Sequence, residues 1–290
     1  MMTGMPKKTT TTASTTAPLV ERVDQYLHAH PGRANTVTSA GPLGRRVQVS
    51  TRTWIPWITL GGKPGSKSAC GPLPDEVSAA ASAALEALDD VEGRVNVSHR
   101  DKVVTRSHLV KLSALAATRQ DSNLITLWVA TMMWGSGTTN GRGPWRTAQG
   151  LSAPNLVEAL QASSDAVRRR DLVSAYRGFA LAGCGSSFFT KWFWAVALAQ
   201  PDQPLPLILD ERVLNTLRWI HQGTDWRSPR HAEGYQTYVE MIHNAANELR
   251  VHHGGLDAEK LEWMLFDRTN GPDGPSFKVW LSSAPSYRTT

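Results

Sequence analysis

The chain has 290 residues, enough to bury a sizeable core in one large domain or in two lobes. Its net charge of +6 and pI near 9.5 favour a polyanionic partner. Two cysteines, Cys70 and Cys184, exclude a disulfide framework and a cysteine-based metal site, and they fit a reducing compartment. No apolar run reaches the roughly 18 residues of a membrane span, and no apolar signal core opens the chain. The expected protein is therefore cytoplasmic, monomeric and without a membrane partner.

In chain order, 1–18 reads as a disordered Thr-rich tail and 19–290 as the folded body. A short helix over 19–30 ends at Pro31-Gly32. The Gly-, Pro- and Ser-rich stretch 32–74 holds Trp54-Ile55-Pro56-Trp57-Ile58, which reads as an extended segment docked on the body. Helices are predicted over 74–90, 108–119 and 124–134, the last of them buried. A loop over 135–147 follows, then helices over 155–163, after Ser164, and over 171–182 and 186–200. Further helices span 211–221, 234–251 and 257–266, and 276–290 is a loose end. Strand signals are few, so the fold class is mainly α. Arg168 to Arg170 reads as a solvated helix face, and His252-His253 as a helix end rather than a metal site. Tyr235, Tyr238, Trp263 and Phe266 have helical spacing and read mainly as core.

The informative stretch is 181–210, LAGCGSSFFTKWFWAVALAQPDQPLPLILD. Its helix is apolar nearly all round, which marks a buried helix. Lys191 is its only charge. Asp210, 19 positions on, closes the apolar run Leu207-Ile208-Leu209. Buried charges are costly unless paired or used. Lys191 is either a desolvated amine nucleophile or half of a structural ion pair. Asp210 is either its structural partner or a base and cation stabiliser. The Gly183-Cys184-Gly185 turn is either a glycine C-cap or, with Ser186 and Ser187, a ring of amides for an anion such as a DNA phosphate. In the 135–147 loop, Asn140, Arg142, Trp145 and Arg146 either pack on the body or act as a wedge and stacking platform against DNA.

This segment resembles the helix-hairpin-helix DNA glycosylases of the 8-oxoguanine glycosylase type. Leu181, Gly183 and Gly185 match that family's hairpin, and Lys191 and Asp210 keep its lysine-to-aspartate separation. The resemblance implies a two-lobed helical fold with the active site between the lobes and the hairpin within 171–200. It implies hairpin amides on a phosphate, attack by the lysine on the sugar carbon, and an aspartate that assists base departure. The implied partner is double-stranded DNA carrying a modified base, and neither metal nor cofactor is expected. One departure stands out. Ser186, Ser187, Phe188, Phe189 and Thr190 separate the hairpin from Lys191, about one extra helical turn. Either Lys191 reaches the usual site through a longer hairpin, or Ser187 holds that position and Asp210 activates water. The Gly-x-Ser-Phe-Phe-Thr-Lys form is similar to a bacterial subgroup, with relatives in phage defence that remove glucosylated hydroxymethylcytosine. The alternatives are an 8-oxoguanine repair glycosylase and lyase, or a non-catalytic DNA-binding protein using the same hairpin.

Overall fold

The computed structural model describes residues 12–39, 46–63, 65–91, 101–137, 140–200, 202–222 and 228–283, with side chains described from residue 16. Among the described residues there are fourteen helices and three short strands, so the fold is mainly α as the sequence predicts. None of these helices is long and apolar enough to cross a membrane. The chain divides into two compact units. One is drawn from Pro42–Asp210 and Arg230–Gln236, the other from Met1–Gly41, Glu211–Pro229 and Thr237–Thr290.

The first unit holds α3 (Thr51–Leu60), α4 (Asp75–Glu86), α5 (Arg106–Ala116), α6 (Asp121–Gly135), α7 (Gly143–Leu151), α8 (Leu156–Arg168), α9 (Leu172–Gly178) and α10 (Ser186–Ala197). Its three strands, β1 (Val47–Val49), β2 (Asp89–Asp90) and β3 (Lys102–Val104), pair antiparallel in the order β1-β3-β2. The core forms around α6 and α10, because both are apolar on every side. Every residue from Leu124 to Trp134 is buried, and so is every residue from Phe189 to Ala197. The indoles interlock with polar and aromatic partners. Trp192 Nε1 donates to Ser163 Oγ at 2.9 Å, and Trp194 stacks on Trp134 with centroids 4.9 Å apart. Trp128 lies so close to α7 that a Cβ on Gly150 would come within 2.3 Å of its ring. Only a glycine permits that approach.

The second unit holds α1 (Thr12–Ala29), α2 (Pro31–Ser39), α11 (Glu211–Ile220), α13 (Ala258–Phe266), α14 (Phe277–Ser283) and most of α12 (Ala232–Leu249). Its ends are tied by buried polar bonds. Tyr26 Oη donates to the Pro275 carbonyl at 2.7 Å. Arg33, nearly buried, pairs with Asp267 at 2.8 Å and donates to the Thr269 carbonyl at 3.2 Å.

Several elements differ from the sequence prediction. Pro31 opens α2 instead of ending the chain's helical start, because the first turn needs no donor from proline. α1 begins at Thr12, inside the stretch expected as a tail; residues 1–11 lie outside the described residues. The segment around Trp54 is the helix α3, not an extended strand. Trp54 and Ile58 lie one turn apart and are both buried, and this packing outweighs Pro56 in the helix interior. The two helices expected around Ser164 are the single α8, with Ser164 buried inside it. α9 stops at Gly178, earlier than predicted. The supposed loose end contains α14, anchored by buried Phe277 and Leu281. Arg168 is not simply solvated: its guanidinium donates to the Ala116 carbonyl at 2.9 Å and caps the end of α5.

Candidate active site

Lys191 and Asp210 meet. The Lys191 Nζ lies 3.4 Å from Asp210 Oδ2 and donates to the Ser187 carbonyl at 2.6 Å. Side chains on a helix lean toward its N-terminus. The lysine therefore reaches back one turn along α10 and presents its amine at the level of Ser187. Its side chain is 5% exposed and that of Asp210 21%, so the carboxylate is the more open member of the pair. The amine also lies 5.5 Å from the centre of the Phe188 ring, within cation–π range. The stem packs on Gly135, the last residue of α6, where a Cβ would come within 2.8 Å of Lys191 Cδ. That glycine leaves the channel for the lysine stem.

Asp210 is held by its strand-like approach, 207–210. The buried Thr190 hydroxyl accepts the Leu209 amide at 3.0 Å and donates to the Ser186 carbonyl at 2.7 Å. Buried Tyr235 donates its hydroxyl to the Leu207 carbonyl at 2.8 Å. The sequence singles out Tyr235 mainly as core, with the base pocket as the alternative for some residues of its group, and does not single out Thr190 as a site residue. Thr190 is the residue before the lysine, but nothing local reveals that its hydroxyl clamps a segment 19 positions away.

The hairpin runs from Phe179 to Gly185, between α9 and α10. Gly183 has φ +74, and a Cβ there would meet the Arg146 carbonyl at 2.9 Å and Gln149 Oε1 at 2.7 Å. So the turn needs glycine twice over, for conformation and for its close approach to α7. Gly183→Ala should lower stability by about 1–3 kcal/mol in urea melts. Gly185→Ala is the contrast. There φ is −78 and a Cβ meets nothing within 4 Å, so its cost should stay within about 0.5 kcal/mol. Equal losses for both would show that the contact with α7 is unimportant.

Gly185 is the N-cap of α10 and no side chain caps that helix. The first-turn amides of Ser186 and Ser187 thus meet an anion-favouring helix start. The Cys184 amide differs, because it donates to the Leu181 carbonyl at 3.2 Å within the turn. Part of Cys184 is open to solvent, yet burial of its sulfur pushes the thiol up to about 12. Burial thus favours the protonated thiol at neutral pH. The Ser186 side chain bonds the Tyr176 phenol, which burial raises above its ordinary value against the opposing pull of Arg230 and this bond.

The 135–147 candidates separate in space. Asn140 is buried with φ +54, and its Oδ1 accepts the Trp54 indole N–H at 2.7 Å. It holds the fold of its own loop. Arg142 is exposed at the start of α7. Trp145 and Arg146 lie half-buried on α7 itself, not in a loop. The Gly143-Pro144 pair was the missed signal, since proline in the first turn starts helices. Arg146 belongs to the neighbourhood of the pair: its guanidinium lies 5.4 Å from the centre of the Phe188 ring, which the lysine amine also approaches.

Fold and site together define a mainly helical protein that packs a lysine–aspartate pair directly behind a glycine hairpin. The chain belongs to the family described as "Putative 8-oxoguanine DNA glycosylase OGG-like protein", which it matches over residues 74–266. That span includes the hairpin, Lys191 and Asp210, and leaves α1 and α14 outside. No curated protein and no solved structure gives a match.

Proposed function

We propose that the protein is a DNA glycosylase that flips a modified base out of duplex DNA and cleaves its N-glycosidic bond. The observation that carries this reading is the 3.4 Å approach of the Lys191 amine to the half-buried Asp210 carboxylate behind the hairpin. The Lys191 amine adds to the sugar carbon as the base leaves with the electron pair of the glycosidic bond. Asp210 stabilises the positive charge that grows on the sugar and takes the proton the amine gives up. The amides of Gly183, Gly185, Ser186 and Ser187 grip a phosphate at the start of α10. Arg142, Trp145 and Arg146 supply charge and stacking surface toward the strand gap. Flipping costs about a few kcal/mol, least for a damaged or poorly paired base. A modified phage cytosine, removed in defence, is the first substrate to try.

The test is incubation of the purified protein with duplexes carrying glucosylated hydroxymethylcytosine, 8-oxoguanine or an alkylated base. Abasic sites are then counted by alkaline cleavage. Accumulation on one duplex over its unmodified control supports the reading and names the base. A folded protein that binds DNA in a salt-dependent way yet releases no base from any of the three is a DNA-binding protein using the same hairpin as a phosphate clamp.

A further inference from the structure

We infer that Asp24, His28 and His253 form a binding site for one Zn2+ ion in the second unit. One ligand atom from each of the three residues lies within 4.8 Å of the others. Asp24 Oδ1 is 2.9 Å from His253 Nε2 and 3.4 Å from His28 Nδ1. A tetrahedral zinc with bonds of about 2.0–2.2 Å separates its ligand atoms by about 3.3 Å. The two observed separations lie on either side of that value, so small side-chain rotations seat the ion.

The backbone supplies the three donors independently. Asp24 and His28 are one turn apart on α1 and share a face. His253 comes from the turn after α12, pinned on both sides: its amide donates to the Leu249 carbonyl at 2.8 Å and its carbonyl accepts the Leu256 amide at 3.2 Å. The two imidazoles already face each other edge to face, with centroids 5.0 Å apart. The His253 side chain is 9% exposed, Asp24 36% and His28 64%, so the ligand set is graded from interior to solvent and leaves an open position for water. His28 Nδ1 also contacts the Asp24 carbonyl at 2.9 Å, and the exposed ring can exchange that contact for the ion by rotating.

The donor set selects the metal. Two imidazole nitrogens and one carboxylate oxygen suit zinc, whereas Mg2+ and Ca2+ want all-oxygen shells. A hydrogen bond between Asp24 and His253 alone would not require a second imidazole to converge on the same carboxylate oxygen. The ion would cross-link positions 229 apart in sequence and so lock α1 onto the turn after α12.

The experiment uses untagged full-length protein stripped with chelator, titrated with ZnCl2 by calorimetry and followed by thermal melts. One Zn2+ per chain is expected, with a Tm that climbs as zinc is added. Co2+ should give the strong visible bands of a low-coordinate nitrogen–oxygen site. His28→Ala removes the most exposed ligand and leaves the Asp24–His253 bond in place, so the fold survives. It should weaken zinc binding about tenfold or more. Equal zinc affinity in wild type and His28→Ala overturns the assignment, as does a Tm rise with Mg2+ equal to that with Zn2+. Neither result bears on the glycosylase reading.

Discussion

Asp210→Asn should slow base release by about 10²–10⁴-fold in single turnover, or about 3–5 kcal/mol of barrier. DNA affinity should stay within a few-fold of wild type. Asparagine keeps the shape and an oxygen for the Lys191 amine, which sits 3.4 Å away, so the packing around the pair survives. What disappears is the negative charge that would face the developing positive charge on the sugar. Lost with it is the carboxylate base 3.4 Å from the amine. Side-chain exposure of 21% means the substitution leaves no large cavity and no deeply buried orphan. The measurement is a burst of abasic sites with enzyme in excess, on whichever duplex the wild type attacks. Unchanged release would remove Asp210 from the chemistry and leave the pair as a structural bridge.

The size of that effect depends on how rigidly Asp210 is held, and the structure gives two reasons. Its approach segment is clamped at Leu209 by the Thr190 hydroxyl and at Leu207 by Tyr235. Both clamps bond main-chain atoms, Leu209 N–H and Leu207 C=O, so they fix the backbone entering Asp210 rather than its side chain. Preorganisation of this kind is what lets a carboxylate stabilise charge without first reorienting.

How much of this could be read in the sequence follows from what each feature depends on. α10 and its lysine were legible because a single charge in an apolar helix is a local anomaly. Asp210 was legible for the same reason, at the end of an apolar run. α3 and α14 were not. Pro56 and a Ser- and Pro-rich neighbourhood argued against helix, while the decisive burial of Trp54, Ile58 and Phe277 comes from contacts with distant segments. The sequence leaves Asn140 open between packing and DNA contact; its bond to Trp54, 86 positions earlier, is a tertiary fact. His253 lies at a helix end beside Gly254-Gly255 as the sequence predicts, but its buried contact with Asp24 spans 229 positions and was not legible. The five residues inserted before Lys191 posed a genuine fork. The backward lean of helical side chains sets the Lys191 amine beside the Ser187 carbonyl, and a trapping experiment decides which branch the chemistry takes.

That placement makes Lys191 the second large prediction. Borohydride added during turnover should trap a covalent protein–DNA adduct with wild type and none with Lys191→Gln. Strand cleavage should vanish with the adduct. Glutamine still offers an N–H toward the Ser187 carbonyl but cannot form an imine, so it tests the amine's chemistry more cleanly than alanine does. Removing one partner of a fully buried pair costs about 3–5 kcal/mol. Here the surviving Asp210 is partly open to water, so the stability loss should be smaller and the protein should remain folded. The amine must leave the Ser187 carbonyl, 2.6 Å away, to attack. Asp210 is placed to accept the proton it sheds as it does so. Base release that continues in Lys191→Gln at the wild-type rate, with no adduct in either protein, would make water the nucleophile. Asp210 would then activate that water, and Lys191 would serve only to hold the carboxylate in position.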